Sequence, residues 1–334
     1  MSATGILEVP NFMLQKGGTL PTARLSYKTL GQLNVDRSNA VLVPSWYTGT
    51  HVETEKFFVG SNRTLDPARY FIILTDLLGN GLSSSPSNTP PPIELGRFPR
   101  ITIHDNVRLQ HQLVTETLGI QRLRLVTGWS MGACKTYQWA AQYPDMVTAA
   151  CPIAGSARTA SYNKVFLMAL RRTLELDPAF AEGYYTRAPV AGLRAFASIY
   201  AGWGVSEPFF RTEAYRMFGA DTHEAFVQNF WEPFFLKCDA NNLLSQLSTW
   251  FDGDISANTT YNGNLQAALS AIRARTIIMP VDNDRYFPPV DAKEETRYIP
   301  GAECRVIESI WGHMAPMNPG DVSVIDTALR QLLE

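Results

Sequence analysis

No long apolar run, no closely spaced cysteine pair and no block of like charge occurs in this 334-residue chain, and each absence excludes a class of function. A membrane-spanning helix needs about 18 consecutive apolar residues, and none are found. Residues 1–18 lack a basic region followed by an apolar core, so the chain is expected to be soluble, unexported and cytoplasmic, with no membrane partner. The 29 Lys and Arg nearly cancel the 31 Asp and Glu, and neither sign clusters, so no nucleic-acid partner is expected. Four scattered cysteines (Cys134, Cys151, Cys238, Cys304) imply reduced thiols rather than a disulfide frame or a metal knuckle. Cys134 in particular reads as a packing residue. No two of the five histidines have ligand spacing, and no dinucleotide-binding glycine fingerprint follows an early strand, so neither a metal nor an organic cofactor is expected.

What is present is a serine between two glycines where an apolar strand gives way to a helix. Leu123 to Thr127 is short, apolar and β-branched, as a buried parallel strand should be, and Met131 to Gln142 has helix-forming composition with apolar residues at helical spacing. Gly128-Trp129-Ser130-Met131-Gly132 fills the junction. A serine there is held on a strained turn with its hydroxyl at the sheet edge, and the glycines let neighbouring backbone approach. Lys135-Thr136 does not make this a phosphate-binding loop, because Cys134 stands where that motif needs glycine.

The rest of the chain reads as an α/β fold with an interruption. Strands are expected at Leu25 to Leu30, Ala40 to Pro44, Tyr70 to Thr75 and Thr148 to Ile153, with a helix such as Val107 to Leu118 between the later ones. Strands alternating with helices imply a mainly parallel sheet covered on both faces. From residue 158 to 255 the rhythm stops, and Leu, Ala and aromatic residues recur at helical intervals, as in an inserted bundle. Its rings read first as helical core and second as a substrate pocket. The sheet resumes at Arg275 to Val281 and Glu303 to Ser309, and Val322 to Leu333 closes the chain as a helix. Residues 1–157 and 256–334 are thus two parts of one α/β core, and 158–255 a helical lid. Ser83 to Pro92 must be an irregular loop.

A serine nucleophile needs a base, and the base an orienting carboxylate, which in this fold follow later in the chain on loops after strands. Of the five histidines only His313 directly follows a late strand; His51, His104, His111 and His223 read as surface, capping or supporting residues. The acid lies among Asp282, Asp284 and Asp291. Asp291 precedes a helix-like segment with Glu294 three residues on, which accounts for it as a cap; of the other two, Asp284 is favoured.

These residues carry a family resemblance along nearly the whole chain. Gly128 to Asp145 (GWSMGACKTYQWAAQYPD), Asp282 to Pro289 (DNDRYFPP) and Trp311 to His313 (WGH) resemble the nucleophile, acid and base segments of the homoserine O-acetyltransferase superfamily of α/β-hydrolases, and Ser45 to His51 (SWYTGTH), Pro152 to Phe166 and Ala191 to Leu193 match as well. The resemblance implies Ser130 as nucleophile, Asp284 as the carboxylate and His313 as base, with the backbone amides of Tyr47 and Met131 as the oxyanion hole. It also implies a homodimer paired through the helical insert.

The departures from that pattern bear on the substrate. Homoserine acetyltransferases carry an aspartate and an aromatic after the base histidine, where this chain has Met314, Ala315 and Pro316, and a Thr-Tyr-Arg element where this chain has Ala201-Gly202-Trp203-Gly204. A homoserine pocket must pair an ammonium and a carboxylate, since burying either alone is costly. The sequence therefore more closely resembles the branch that hydrolyses simple alkyl esters such as ethyl acetate. The expected activity is serine-type hydrolysis of small, short-acyl esters, with acetyl-CoA-dependent O-acetyl transfer to homoserine or another alcohol as the alternative. Trp46, Trp129 and Trp203 are the candidate substrate contacts.

Overall fold

The runs Ala40–Pro44, Leu125–Trp129 and Ala149–Ile153 are buried along their whole length, as strands covered on both faces must be. A computed structural model describing residues 1–334 makes them β3, β5 and β6 at the centre of an eight-stranded sheet. The other strands are β1 (Ser2–Met13), β2 (Thr19–Leu30), β4 (Phe71–Thr75), β7 (Arg275–Ile278) and β8 (Glu303–Cys304), in the spatial order β1-β2-β4-β3-β5-β6-β7-β8. From β4 to β8 all pairs are parallel, whereas β1–β2 and β2–β4 are antiparallel. Helices cover both faces and enclose two apolar cores, one rich in aromatic residues and one built on Val41, Val43, Ile72, Leu74 and the C-terminal helix Pro319–Leu333.

The sequence expectations differ from this sheet mainly at its edges. β1 is absent from the strand expectations, and β2 starts at Thr19 rather than Leu25. β1 is an outer ribbon of mostly exposed residues that includes Pro10, which only an edge position tolerates, so its apolar alternation is weak. The strand expected over Glu303 to Ser309 is ladder only at Glu303–Cys304, with one further bridge between Val281 and Ile307. The expected helix Val107 to Leu118 is α2 (Ile103–Gln112), capped by Thr102, and it widens after Gln112.

Two features position a site. After β3 the chain pairs β4 on one side and β5 on the other, so a crevice opens where the connections diverge, beyond the carboxyl ends of β3 and β5. Between β6 and β7 the chain leaves the sheet and forms α4 (Ser161–Glu175), α5 (Val190–Gly204), shorter turns and the helix Ala240–Phe251. Phe166, Tyr200, Trp231, Phe235 and Trp250 bury against one another there, over the crevice.

Candidate active site

Ser130 stands between β5 and α3 (Met131–Gln142) with φ 60° and ψ −125°, a conformation that costs a non-glycine residue about 1–3 kcal/mol. The surrounding backbone holds it there. A Cβ on Gly132 would lie 2.4 Å from the Pro44 carbonyl oxygen, and one on Gly128 would lie 2.6 Å from the Gly132 carbonyl carbon. Both glycines are therefore required by close backbone packing, and β3 can approach the start of α3. The hydroxyl is thus presented at the crevice.

The late loops deliver the partners. Ser130 Oγ is 2.9 Å from His313 Nε2, and His313 Nδ1 is 2.7 Å from Asp284 Oδ2. The other Asp284 oxygen accepts the Tyr286 and Phe287 amides at 2.7 and 3.2 Å, which fixes the carboxylate against the imidazole. All three side chains are nearly dry, at 2 %, 2 % and 4 % exposure for Ser130, His313 and Asp284. Gly312 precedes the histidine at φ 57°, the left-handed turn that brings it back over the sheet edge. Tyr286 packs edge-on against the imidazole at 4.6 Å, and Trp129 Nε1 donates to the His313 carbonyl at 3.0 Å. In neutral histidine this geometry places the proton on Nδ1 and leaves Nε2 to accept from the serine.

Asp282 is not part of this constellation: its Oδ1 accepts the Ser309 amide at 3.0 Å and so ties the acid loop to the base loop. Asp291 is not a cap. The helix Pro289–Thr296 starts behind Pro288, and a proline at its first position leaves no amide there to cap. Asp291 lies in the first turn, where partial burial raises its carboxyl above the usual value.

The loop after β3 runs beside the elbow. The Tyr47 amide donates to no protein acceptor, and the Met131 amide, first in α3, belongs to the helix donors without an intrahelical partner. The helix Ala240–Phe251 anchors this loop: Tyr47 Oη donates to the Leu243 carbonyl at 3.2 Å, and Gln246 Oε1 accepts the Thr48 amide at 2.8 Å. Asp76 anchors it from below, accepting both the amide and Nδ1 of His51 at 2.7 Å, and that bond raises the imidazole above its ordinary value. His51 opens α1 (His51–Phe58), whose N-cap is Thr50.

Ser130 and His313 open into a cavity of about 120 Å³. Ten of its fourteen lining residues are hydrophobic, and none is lysine or arginine. Trp46, Tyr47 and Trp129 line it, as do Phe57, Tyr200, Phe230, Trp231, Phe234, Met314 and Met317. Trp203 does not. It stacks on Phe166 at 4.6 Å and lies 4.9 Å from Tyr162, so α5 turns it toward α4, and Tyr200 from the same helix reaches the cavity instead. The lining from residues 230 to 234 is missed by sequence reasoning, because Phe and Trp at helical spacing carry the same pattern whether they meet a core or a cavity. Larger hollows occur elsewhere, such as one of about 360 Å³ lined by Ser198 and His223, but there the serine hydroxyl donates to the Arg194 carbonyl and the imidazole pairs with Glu224, so the two do not meet.

Behind the elbow, α3 buries Lys135 completely, and its ammonium has no hydrogen-bond partner. Desolvation lowers this lysine to about 7, with Asp76 opposing the shift. Cys134 is also buried, which raises its thiol to about 12 and keeps it protonated, consistent with packing.

A family described as the α/β-hydrolase fold matches residues 41–318. An ethyl acetate hydrolase of Pseudomonas veronii is 40% identical over 331 residues, covering 98% of this chain and 94% of that protein. The crystal structure of an acetylester hydrolase from Corynebacterium glutamicum superimposes with a TM-score of 0.96 at 38% identity, covering 99% and 96% of the two chains. A homoserine O-acetyltransferase of Trichormus variabilis is more distant, 32% identical over 340 residues, with 98% and 91% covered.

Proposed function

The chain belongs to the α/β-hydrolase family, within the superfamily that joins short-ester hydrolases to homoserine O-acetyltransferases, and from that membership we propose that it is a serine carboxylic-ester hydrolase acting on small, short-acyl alkyl esters. The carrying observation is a nucleophile–base–acid array at 2.9 and 2.7 Å opening into an apolar cavity without a cationic side chain. In this reading Ser130 attacks the ester carbonyl while His313 takes its proton, and Asp284 holds the imidazole and stabilises its charged form. The Tyr47 and Met131 amides meet the developing oxyanion, a contribution of about 3–4 kcal/mol per donor in such sites. The alcohol leaves with the proton from His313. Water, activated by the same histidine, then releases the acid. Homoserine fits poorly, because its carboxylate would enter a site with no cation to pair it.

The segment 158–255 serves as the lid, supplying Tyr200 and the 230–234 aromatics to the cavity. On its outer side Tyr162, Val165 and Met168 form an exposed apolar stripe on α4, which supports a homodimer paired through the lid. Four unpaired thiols support a reducing, cytoplasmic setting.

The test compares ethyl acetate hydrolysis with acetyl transfer from acetyl-CoA to homoserine, at equal enzyme concentration, for wild type and Ser130→Ala. Hydrolysis should dominate in the wild type and fall by about 10³ or more in the variant. Saturable O-acetylhomoserine formation exceeding hydrolysis would overturn the esterase reading, and near-normal hydrolysis by Ser130→Ala would overturn the mechanism.

A further inference from the structure

Glu53 is the one acidic side chain on the cavity wall, facing a lining without lysine or arginine. Its own helix fixes it: one carboxylate oxygen accepts the Thr50 amide at 2.9 Å and the Thr50 hydroxyl, completing a capping box at the start of α1. The second oxygen has no hydrogen-bond partner in the protein, and the nearby Lys28 pairs with Glu55 instead. The residue is exposed, so this oxygen is open to an incoming ligand. Around it the wall is aromatic, with Trp46, Trp231 and Phe234, while the Phe57 ring is already faced by the Lys56 ammonium, 5.5 Å from its centroid. Ring faces carry negative potential and attract cations, quaternary ammonium groups included. The Glu53 carboxylate and the three remaining rings thus give this part of the cavity lining a negative face.

We propose that this cavity selects esters by charge, preferring those whose alcohol carries an alkylammonium head over neutral isosteres and turning away those that bear a carboxylate. The inference rests on the esterase reading of the same site and adds the charge class of the substrate. The chemistry is unchanged: the ester C–O bond breaks, the departing oxygen takes the His313 proton to give the amino alcohol, and water supplies the oxygen of the released acid. Glu53 and the rings take no part in bond making; they place the cationic head.

The experiment measures kcat/KM for acetylcholine, for its neutral isostere 3,3-dimethylbutyl acetate and for the anionic 3-acetoxypropanoate. At low ionic strength the cationic ester should exceed the neutral one by about fivefold or more, and the anionic ester should fall well below both. The cation-to-neutral ratio should shrink as salt is raised. Glu53→Gln retains an acceptor for the capping box, and in it the ratio should fall to about half or less and lose most of its salt dependence. Tetramethylammonium, suited to a cavity this small, should inhibit ethyl acetate hydrolysis competitively, and less so in the variant. Equal rates for the cationic and neutral esters without tetramethylammonium inhibition, or a wild-type ratio independent of salt, would overturn the inference, and the salt series decides it even if Glu53→Gln fails to fold. Absence of hydrolysis of any ester, ethyl acetate included, would instead overturn the esterase reading.

Discussion

Replacing Asp284 by asparagine isolates the orienting role of the carboxylate with almost no change in shape. In the native site Oδ1 accepts the Tyr286 and Phe287 amides while Oδ2 faces His313 Nδ1 at 2.7 Å. Asparagine has one oxygen to offer. It must stay with the two amides, because an NH₂ group there would set three donors against each other. The NH₂ then points at Nδ1, which can accept only when unprotonated, and the imidazole proton moves to Nε2, 2.9 Å from Ser130 Oγ. In that tautomer the histidine cannot take the serine's proton. The loss of an oriented base and of its ion-pair stabilisation should lower kcat by about 10³–10⁴, or ~4–5.5 kcal/mol of barrier. KM should change little, since Asp284 does not line the cavity. Asp282→Asn is the internal control: it keeps an oxygen for the Ser309 amide and should cost less than about tenfold. Initial rates of ethyl acetate hydrolysis by pH-stat, with thermal unfolding as the check on fold, decide the matter. An Asp284→Asn enzyme retaining more than about a tenth of wild-type kcat, or an Asp282→Asn enzyme more impaired than it, would refute the assignment.

Two further perturbations probe the support of the site. Gly132→Ala places a Cβ 2.4 Å from the Pro44 carbonyl, a backbone atom that cannot swing aside; it should destabilise by about 1–3 kcal/mol, seen as a Tm lower by several degrees, and depress kcat by more than about tenfold. A Tm within about 1 °C of wild type with normal turnover would show that the elbow tolerates the methyl group. Lys135 tests a pH linkage, because burial brings it from 10.5 to about 7. Between these values the unfolded chain binds the extra proton, so this group makes wild-type stability rise with pH by up to about 1.4 kcal/mol per unit. Lys135→Met removes that slope. Its stability advantage over wild type, on the order of 4–5 kcal/mol at or below pH 7, should shrink toward pH 10, as measured by denaturant unfolding at pH 7, 8 and 9. A difference constant with pH would contradict the buried charge.

The chain itself determined whatever depends on near neighbours. A β-branched apolar run, Gly128 to Gly132 and a helix-forming segment mark the serine turn because it spans contiguous residues, although the backbone of Pro44 and Ile153 is what holds it in its strained conformation. The late strands likewise mark where an acid and a base must emerge, and so make the fold class and the order of serine, aspartate and histidine readable. Tertiary structure decided what depends on pairings across large separations. Asp282 and Asp284 differ by two residues, and only the bond from Asp284 to a histidine 29 positions later sets them apart. Trp203 and Tyr200 share one helix, and only the packing of α4 and the base loop assigned the first to a lid core and the second to the cavity. Glu53 reads locally as half of a capping box, and its place on the cavity wall appears only once residues 230–234 fold over it. β1 escaped notice because an exposed edge ribbon buries too little to leave a periodic signal, and its register comes entirely from β2. Local geometry is written in contiguous residues, whereas a cavity is made by side chains whose pattern does not tell a solid core from a hollow one.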